Sequence, residues 1–144
     1  NVYGQYCDYD QNTSQVIPSL CVKAISSISK DKTIEVWGSG EQGRAFVNVK
    51  DVVNAIKKSF TKGHNQGVIQ IGPNICTSIN EVAEIIIKKI DKNIKLKHLL
   101  DKPVGDIGRS ANYEKAYRLL NWEPQISLYD GISDLLDWLK KKIN

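Results

Sequence analysis

The chain has 144 residues, 41% of them hydrophobic and 25% charged, which is the balance of one globular domain with a core of its own. No apolar run approaches bilayer length and no secretory leader pattern is present, so a cytoplasmic protein that meets no membrane is expected. The net charge of +4 and pI near 8.9 suit an anionic small ligand, while the basic run Lys140-Lys141-Lys142 reads as a solvated helix end, so no nucleic-acid partner is expected.

Asn1-Val2-Tyr3-Gly4 begins abruptly in strand-like residues without a methionine, and a piece of a longer protein is expected. The polar stretch 5–13 reads as a surface loop. Ser14 can cap a following helix with Pro18 in its first turn, and Ile17, Leu20, Cys21, Ala24, Ile25 and Ile28 fall on one face. Ile34 to Trp37 is a short strand. Arg44 to Val49 alternates as a second strand, and Asp51 is placed to cap a helix whose apolar face is Val52, Val53, Ile56 and Phe60, ending near Gly63. Val68 to Gly72 reads as a short buried strand closed by Gly72-Pro73.

Ser78-Ile79-Asn80-Glu81 spells a capping box and opens a helix with Ile79, Val82, Ala83, Ile86 and Ile90 inward. Ile94 to Leu99 alternates as a half-exposed strand, followed by a loop from Asp101 to Arg109. Residues 113–121 predict a short helix stopped by Trp122-Glu123-Pro124. A second capping box, Ser127 to Asp130, opens a helix facing the core with Leu128, Ile132, Leu135, Leu136, Leu139 and Ile143. Trp122, Tyr117 and Trp138 read as core aromatics. The fold class is mixed α/β, helices with a few short strands. Those strands are too few and scattered to complete a parallel sheet.

Chemistry concentrates around Gly38 to Arg44. Gly38-Ser39-Gly40-Glu41-Gln42-Gly43 spells G-x-G-x-x-G, yet the dinucleotide fingerprint needs a helix opening at the last glycine. Here a strand pattern follows, so a loop between strands is expected. It delivers the guanidinium of Arg44 near the indole of Trp37, a pair suited to a phosphate next to a flat ring. Arg109 also follows glycines in a loop; surface ion pairing is the alternative for both arginines. His64 and His98 read as surface residues. Cys7, Cys21 and Cys76 form no C-x-x-C, so free thiols in a reducing compartment are expected, and no metal site is supported. No G-x-S-x-G turn supports a hydrolase triad.

Asn1-Val2-Tyr3-Gly4, Ser14 to Leu20, Val36 to Gly40 with Arg44-Ala45-Phe46, and the tail Gly105 to Arg109 with Lys115-Ala116 and Leu120 to Pro124 resemble an extended short-chain dehydrogenase/reductase. They look like the C-terminal part of a nucleotide-sugar epimerase/dehydratase, and the likeness spans residues 1–144. The spacing is most similar to GDP-fucose synthase and GDP-mannose 3,5-epimerase. The resemblance implies the substrate-binding part of a Rossmann-type enzyme, with the tail of the Rossmann domain at its start. It implies NAD or NADP, bound mainly by residues upstream, with Asn1, Val2 and Gln15 near the cofactor. It implies a nucleotide-sugar substrate touched by Lys23, Trp37, Gln42, Arg44 and Arg109, and a homodimer at full length.

Several positions depart from that pattern. Gln15 stands where GDP-fucose synthase has an acid–base histidine, and glutamine takes no proton at neutral pH. The lysine that GDP-mannose 3,5-epimerase uses near Val16 is absent. Gln5 replaces the usual proline, and Gln70 the frequent asparagine. Thus 3,5-epimerisation is not carried over, while 4-epimerisation, 4,6-dehydration, 4-reduction and decarboxylation stay open. No tyrosine has a lysine four residues later, so no catalytic residue is assigned in this chain and turnover by it alone is not expected. A non-catalytic nucleotide-sugar or nucleoside-diphosphate binding module is the alternative.

Overall fold

The computed structural model describes residues 1–143. Its elements run β1 (Val2–Tyr3), α1 (Val16–Ser27), β2 (Thr33–Trp37), β3 (Gly43–Arg44), β4 (Val47–Asn48), α2 (Val49–Lys62), β5 (Thr77–Ser78), α3 (Ile79–Ile90), β6 (Lys95–Leu99), β7 (Gly108–Arg109), α4 (Glu114–Leu120) and α5 (Leu128–Ile143). The strands form three small sheets: β1 with β4, β2 with β6, and β3 between β5 and β7. The mixed α/β class read from the sequence is the class observed.

The longest pairing joins β2 and β6 in parallel, with Thr33 opposite Lys95 and Trp37 opposite Leu99. In β2, Ile34 and Val36 point inward while Glu35 and Trp37 point out. Helices α1, α3 and α5 pack against one another and enclose the main core, including Ile17, Leu20, Ala24, Ile86, Leu135 and Leu139. α3 starts on the full capping box: Ser78 Oγ accepts from the Glu81 N–H, and the Glu81 carboxylate accepts from the Ser78 N–H at 2.7 Å. The Ser78 N–H and the Ser78 hydroxyl, both donating to it, hold the Glu81 carboxyl below the usual carboxylate range. A second cluster gathers Val47, Ala55, Ala116, Leu120 and the fully buried Trp122 between α2 and α4.

Several local expectations are corrected. α1 is capped by Gln15 through its extended backbone, without a side-chain bond, and Ser14 Oγ is buried with no hydrogen-bond partner among the described residues. Ile28 lies past the helix and is exposed. The stretch 44–49 is not one strand: it pairs through β3 and then, after Ala45-Phe46, through β4 with a different neighbour. The cap of α2 is Asn48, whose side chain accepts from the Lys50 N–H.

Asp51 is instead buried in the first turn of α2. Its Oδ2 accepts from the backbone N–H groups of Ile126 (3.0 Å) and Gln125 (3.2 Å), and its carbonyl accepts from the Trp122 indole (2.9 Å). α2 therefore faces the protein with Asp51, Ala55 and part of Val52, leaving Val53, Ile56 and Phe60 exposed. Residues 68–72 belong to no strand. Ile69 and Ile71 pack on the second cluster, while Lys115 Nζ takes the Val68 carbonyl at 2.9 Å where a strand partner would have bonded it. Tyr117 is exposed, and Trp138 is half-buried against Tyr6 and Tyr9.

Candidate functional site

The glycine turn leaves β2 and returns as β3. Gly38 (φ +69°) and Gly40 (φ +77°) take left-handed conformations that bend the chain without opening a helix, and both are buried. The turn is fastened at both ends: the Gly38 N–H donates to the Leu99 carbonyl and the Gly43 N–H to the Ile107 carbonyl, each at 2.8 Å. Within it, Gln42 Nε2 donates to the Trp37 carbonyl at 2.9 Å. A side chain on Gly38 would overlap Val104, so the loop at 101–107 lies directly on the turn.

A cleft of about 450 Å³ opens between the start of α1, the end of β2, the turn and that loop. Asn1, Gln15, Lys23, Trp37, Gln42 and Arg44 all line it. Trp37 keeps half of its surface exposed, leaving the indole available to a flat ligand. Lys23 Nζ donates to the Glu35 carbonyl at 3.3 Å, which directs the ammonium along the cleft wall. The Glu35 carboxylate is paired with Lys97 at 3.0 Å, so the acid lining the cleft is partly neutralised from its other side. Arg44 is half-buried, and its Nη1 donates to the carbonyls of Gly43 (2.6 Å) and Asp106 (2.7 Å). The balance of charge in the cleft favours an anion.

Two of the residues singled out in the sequence lie off this cleft. Val2 pairs with Val47 between β1 and β4. Arg109 stands opposite Arg44 in the β3–β7 register, but its side chain is exposed and ion-paired with Asp106. The sequence reading passed over Gln11, Asn12 and Ser14, which also line the cleft. A loop rich in Asp, Asn and Gln carries no signal of which amides point inward. Among the described residues no cluster of His, Cys, Asp and Glu could hold a metal, and no helix is long and apolar enough to cross a membrane.

The profile of the NAD dependent epimerase/dehydratase family matches residues 1–72. The chain belongs to that family. Curated relatives include GDP-mannose 3,5-epimerase 1 of Oryza sativa subsp. indica, 29% identical over 143 residues, covering 99% of this chain and 36% of the relative. GDP-L-fucose synthase 1 of Arabidopsis thaliana is 27% identical, covering 99% of this chain and 44% of its own length. Both enzyme types named from the residue spacing are thus among its relatives.

Among solved structures, UDP-glucose 4-epimerase of Thermotoga maritima with UDP-glucose superposes with a TM-score of 0.81 at 28% identity, covering 100% of this chain and 45% of that one. GDP-L-fucose synthetase of Naegleria fowleri bound to NADP gives 0.91 at 18% identity, covering 99% and 45%, a likeness of fold alone. The fold is accordingly that of a stretch of a Rossmann-type epimerase of the extended class. The chain spans about two-fifths of the length of these curated relatives.

Proposed function

We propose that residues 1–144 form the C-terminal, substrate-binding part of an NAD(P)-dependent nucleotide-sugar epimerase/dehydratase, with the tail of its dinucleotide-binding domain at the start. The observation that carries this reading is the convergence of Trp37, Lys23, Gln42 and Arg44 on one cleft. A nucleoside diphosphate asks for a flat apolar surface beside fixed positive charge. Stacking on an aromatic side chain contributes about 1–3 kcal/mol per base. Charge-assisted hydrogen bonds from a guanidinium are about twice as strong as neutral ones. In this reading Trp37 takes the base, Arg44 and Lys23 hold the phosphates, and Arg109 turns from Asp106 to the diphosphate when substrate is bound.

Asn1 and Gln15 line the same cleft, and Ser14 brings a buried hydroxyl that has no partner among the described residues. These amides and the hydroxyl can each donate and accept, which fits the carboxamide of a nicotinamide. Val2 would support that edge through its backbone in β1. The nicotinamide, when bound, supplies hydride acceptance and return; this chain's residues bind and orient the sugar nucleotide and shield it from water. No acid–base residue is assigned here, the catalytic tyrosine and lysine belong to the preceding part of the enzyme, and the full-length enzyme is a homodimer. The pathway served is sugar-nucleotide metabolism in the cytoplasm, with GDP-sugars first among the substrates to try.

The test is a titration of the 144-residue protein with GDP, UDP and dTDP, followed by NMR. At least one nucleotide is expected to shift the Trp37 indole N–H and the Arg44 amide, while no nucleotide sugar is turned over in the presence of NAD or NADP. Absence of those shifts at millimolar nucleotide, or turnover by the pure chain, overturns the reading.

A further inference from the structure

Asn80, in the first turn of α3, reaches the glycine turn at three points. Its backbone N–H donates to the Gly40 carbonyl (3.0 Å), and its Nδ2 donates to the Ser39 carbonyl (3.0 Å) and to Glu41 Oε1 (2.8 Å). The preceding Ile79 N–H donates to the Gln42 carbonyl at 3.1 Å. With Nδ2 engaged as donor, Asn80 Oδ1 can only accept, and its partner is His98 Nε2 at 2.9 Å. That proton is present on Nε2 in the imidazolium and in one neutral tautomer, so the bond does not require a charged ring. Gly40 is shaped to this contact, because any side chain there would overlap the Asn80 amide.

The turn so pinned carries two residues of the cleft at its ends, Trp37 and Gln42, which are themselves joined by the Gln42 amide. We infer that Asn80, fixed in its rotamer by His98, is a positioning residue that sets the glycine turn and thereby the places of Trp37 and Gln42 in the site. This rests on the nucleoside-diphosphate reading above. Neither residue lines the cleft, so both act through the turn and not by contact with ligand. Asn80 also serves the start of α3 by position alone, since the cap itself is made by Ser78 and Glu81. Loss of its side chain therefore leaves the helix cap in place.

The test uses four variants of the full chain, each checked by thermal melting for a cooperative fold. Asn80→Ala removes every side-chain bond, and Asn80→Asp keeps the acceptor for His98 but loses the donors to the turn. His98→Ala frees the Asn80 amide, whereas His98→Gln restores an N–H that can reach Oδ1. The first readout is hydrogen exchange of the Ile79 and Asn80 amides, which bond turn carbonyls, against the Val82–Ile86 amides of the same helix. The second is the Kd of the nucleotide bound by wild type.

Both Asn80 variants are expected to speed exchange at Ile79 and Asn80 about tenfold, the equivalent of one hydrogen bond, and to weaken nucleotide binding by a similar factor. Exchange in the helix interior stays unchanged. His98→Ala gives a smaller effect, and His98→Gln recovers most of it. Unchanged exchange at Ile79 and Asn80 in Asn80→Ala overturns the inference, and so does loosened exchange with undiminished nucleotide affinity. A wild type that binds no nucleoside diphosphate overturns the site reading instead; the exchange data then still decide whether Asn80 sets the turn.

Discussion

Replacing Arg44 separates ligand binding from loop bracing. Of its guanidinium nitrogens, Nη1 is committed to the Gly43 and Asp106 carbonyls, while Nη2 and Nε have no protein acceptor among the described residues. Gly105 packs so closely on Nη2 that a side chain there would come within 2.8 Å. The arginine thus braces the loop at 101–107 with one nitrogen and offers the others to a ligand.

A charge-assisted hydrogen bond to a phosphate contributes about 1.5–3 kcal/mol. Arg44→Ala should therefore raise the nucleotide Kd by about one to two orders of magnitude, since 1.4 kcal/mol is tenfold. Losing the two carbonyl bonds should separately lower stability by about 1–3 kcal/mol. Arg44→Lys keeps the charge without the planar fork and should recover only part of either loss. Calorimetric titration with the nucleotide, paired with urea unfolding, reads the two effects independently; affinity for NAD or NADP should change little. A folded Arg44→Ala protein with wild-type nucleotide affinity would refute the assignment and leave Arg44 as a loop brace.

Asp51→Ala should lower unfolding free energy by about 2–4 kcal/mol in urea, because the N–H groups of Gln125 and Ile126 lose a charged acceptor in a buried place; a loss under about 0.5 kcal/mol would mean that water replaces it. Gly131→Ala should destabilise by about 1–3 kcal/mol despite alanine's better helix propensity. Its Cβ would overlap the Tyr3 phenol oxygen and sit 2.8 Å from Asn48 Nδ2, and Tyr3→Phe in that background should recover part of the loss in thermal melts.

Burial pushes the Tyr3 phenol up to about 12, with the carboxylates of Asp51, Asp130 and Asp134 adding to it. The nearby Asn48 amide offsets some of this, although no hydrogen bond of normal geometry joins them. The folded state thus favours the neutral phenol. That contribution is complete below pH 10 and is lost as pH rises from 10 toward about 12, at most about 2–3 kcal/mol. The difference in unfolding free energy between wild type and Tyr3→Phe should shift by that amount across this window, and a flat difference would refute it.

Local chemistry is what the sequence by itself determined. The Ser78–Glu81 box starts α3 because its two reciprocal bonds lie within four residues. The same closeness lets Ser127 Oγ accept from the Asp130 N–H at the start of α5. The strand pattern that begins at Gly43 in place of a helix, and the short strand ending at Trp37, were legible for the same reason. Family membership was legible because several short motifs recur in order along the chain.

Only the tertiary structure decided what depends on partners far away in sequence. Asp51 looks like a cap, yet the N–H groups that its carboxylate accepts from belong to Gln125 and Ile126, more than seventy residues on. Val53, Ile56 and Phe60 form a good apolar face, but α2 turns Ala55 toward Ala116, Leu120 and Trp122 and Asp51 toward the segment 122–126 that follows α4. Residues 68–72 have strand composition, yet they pair as a strand with no other segment among the described residues. His98 is an exposed histidine by any local measure, and it became part of the site's support only when β6, α3 and the glycine turn were brought together. A period or a cap is fixed by neighbours along the chain; which face is covered, and which polar group is answered, is fixed by whatever folds against it.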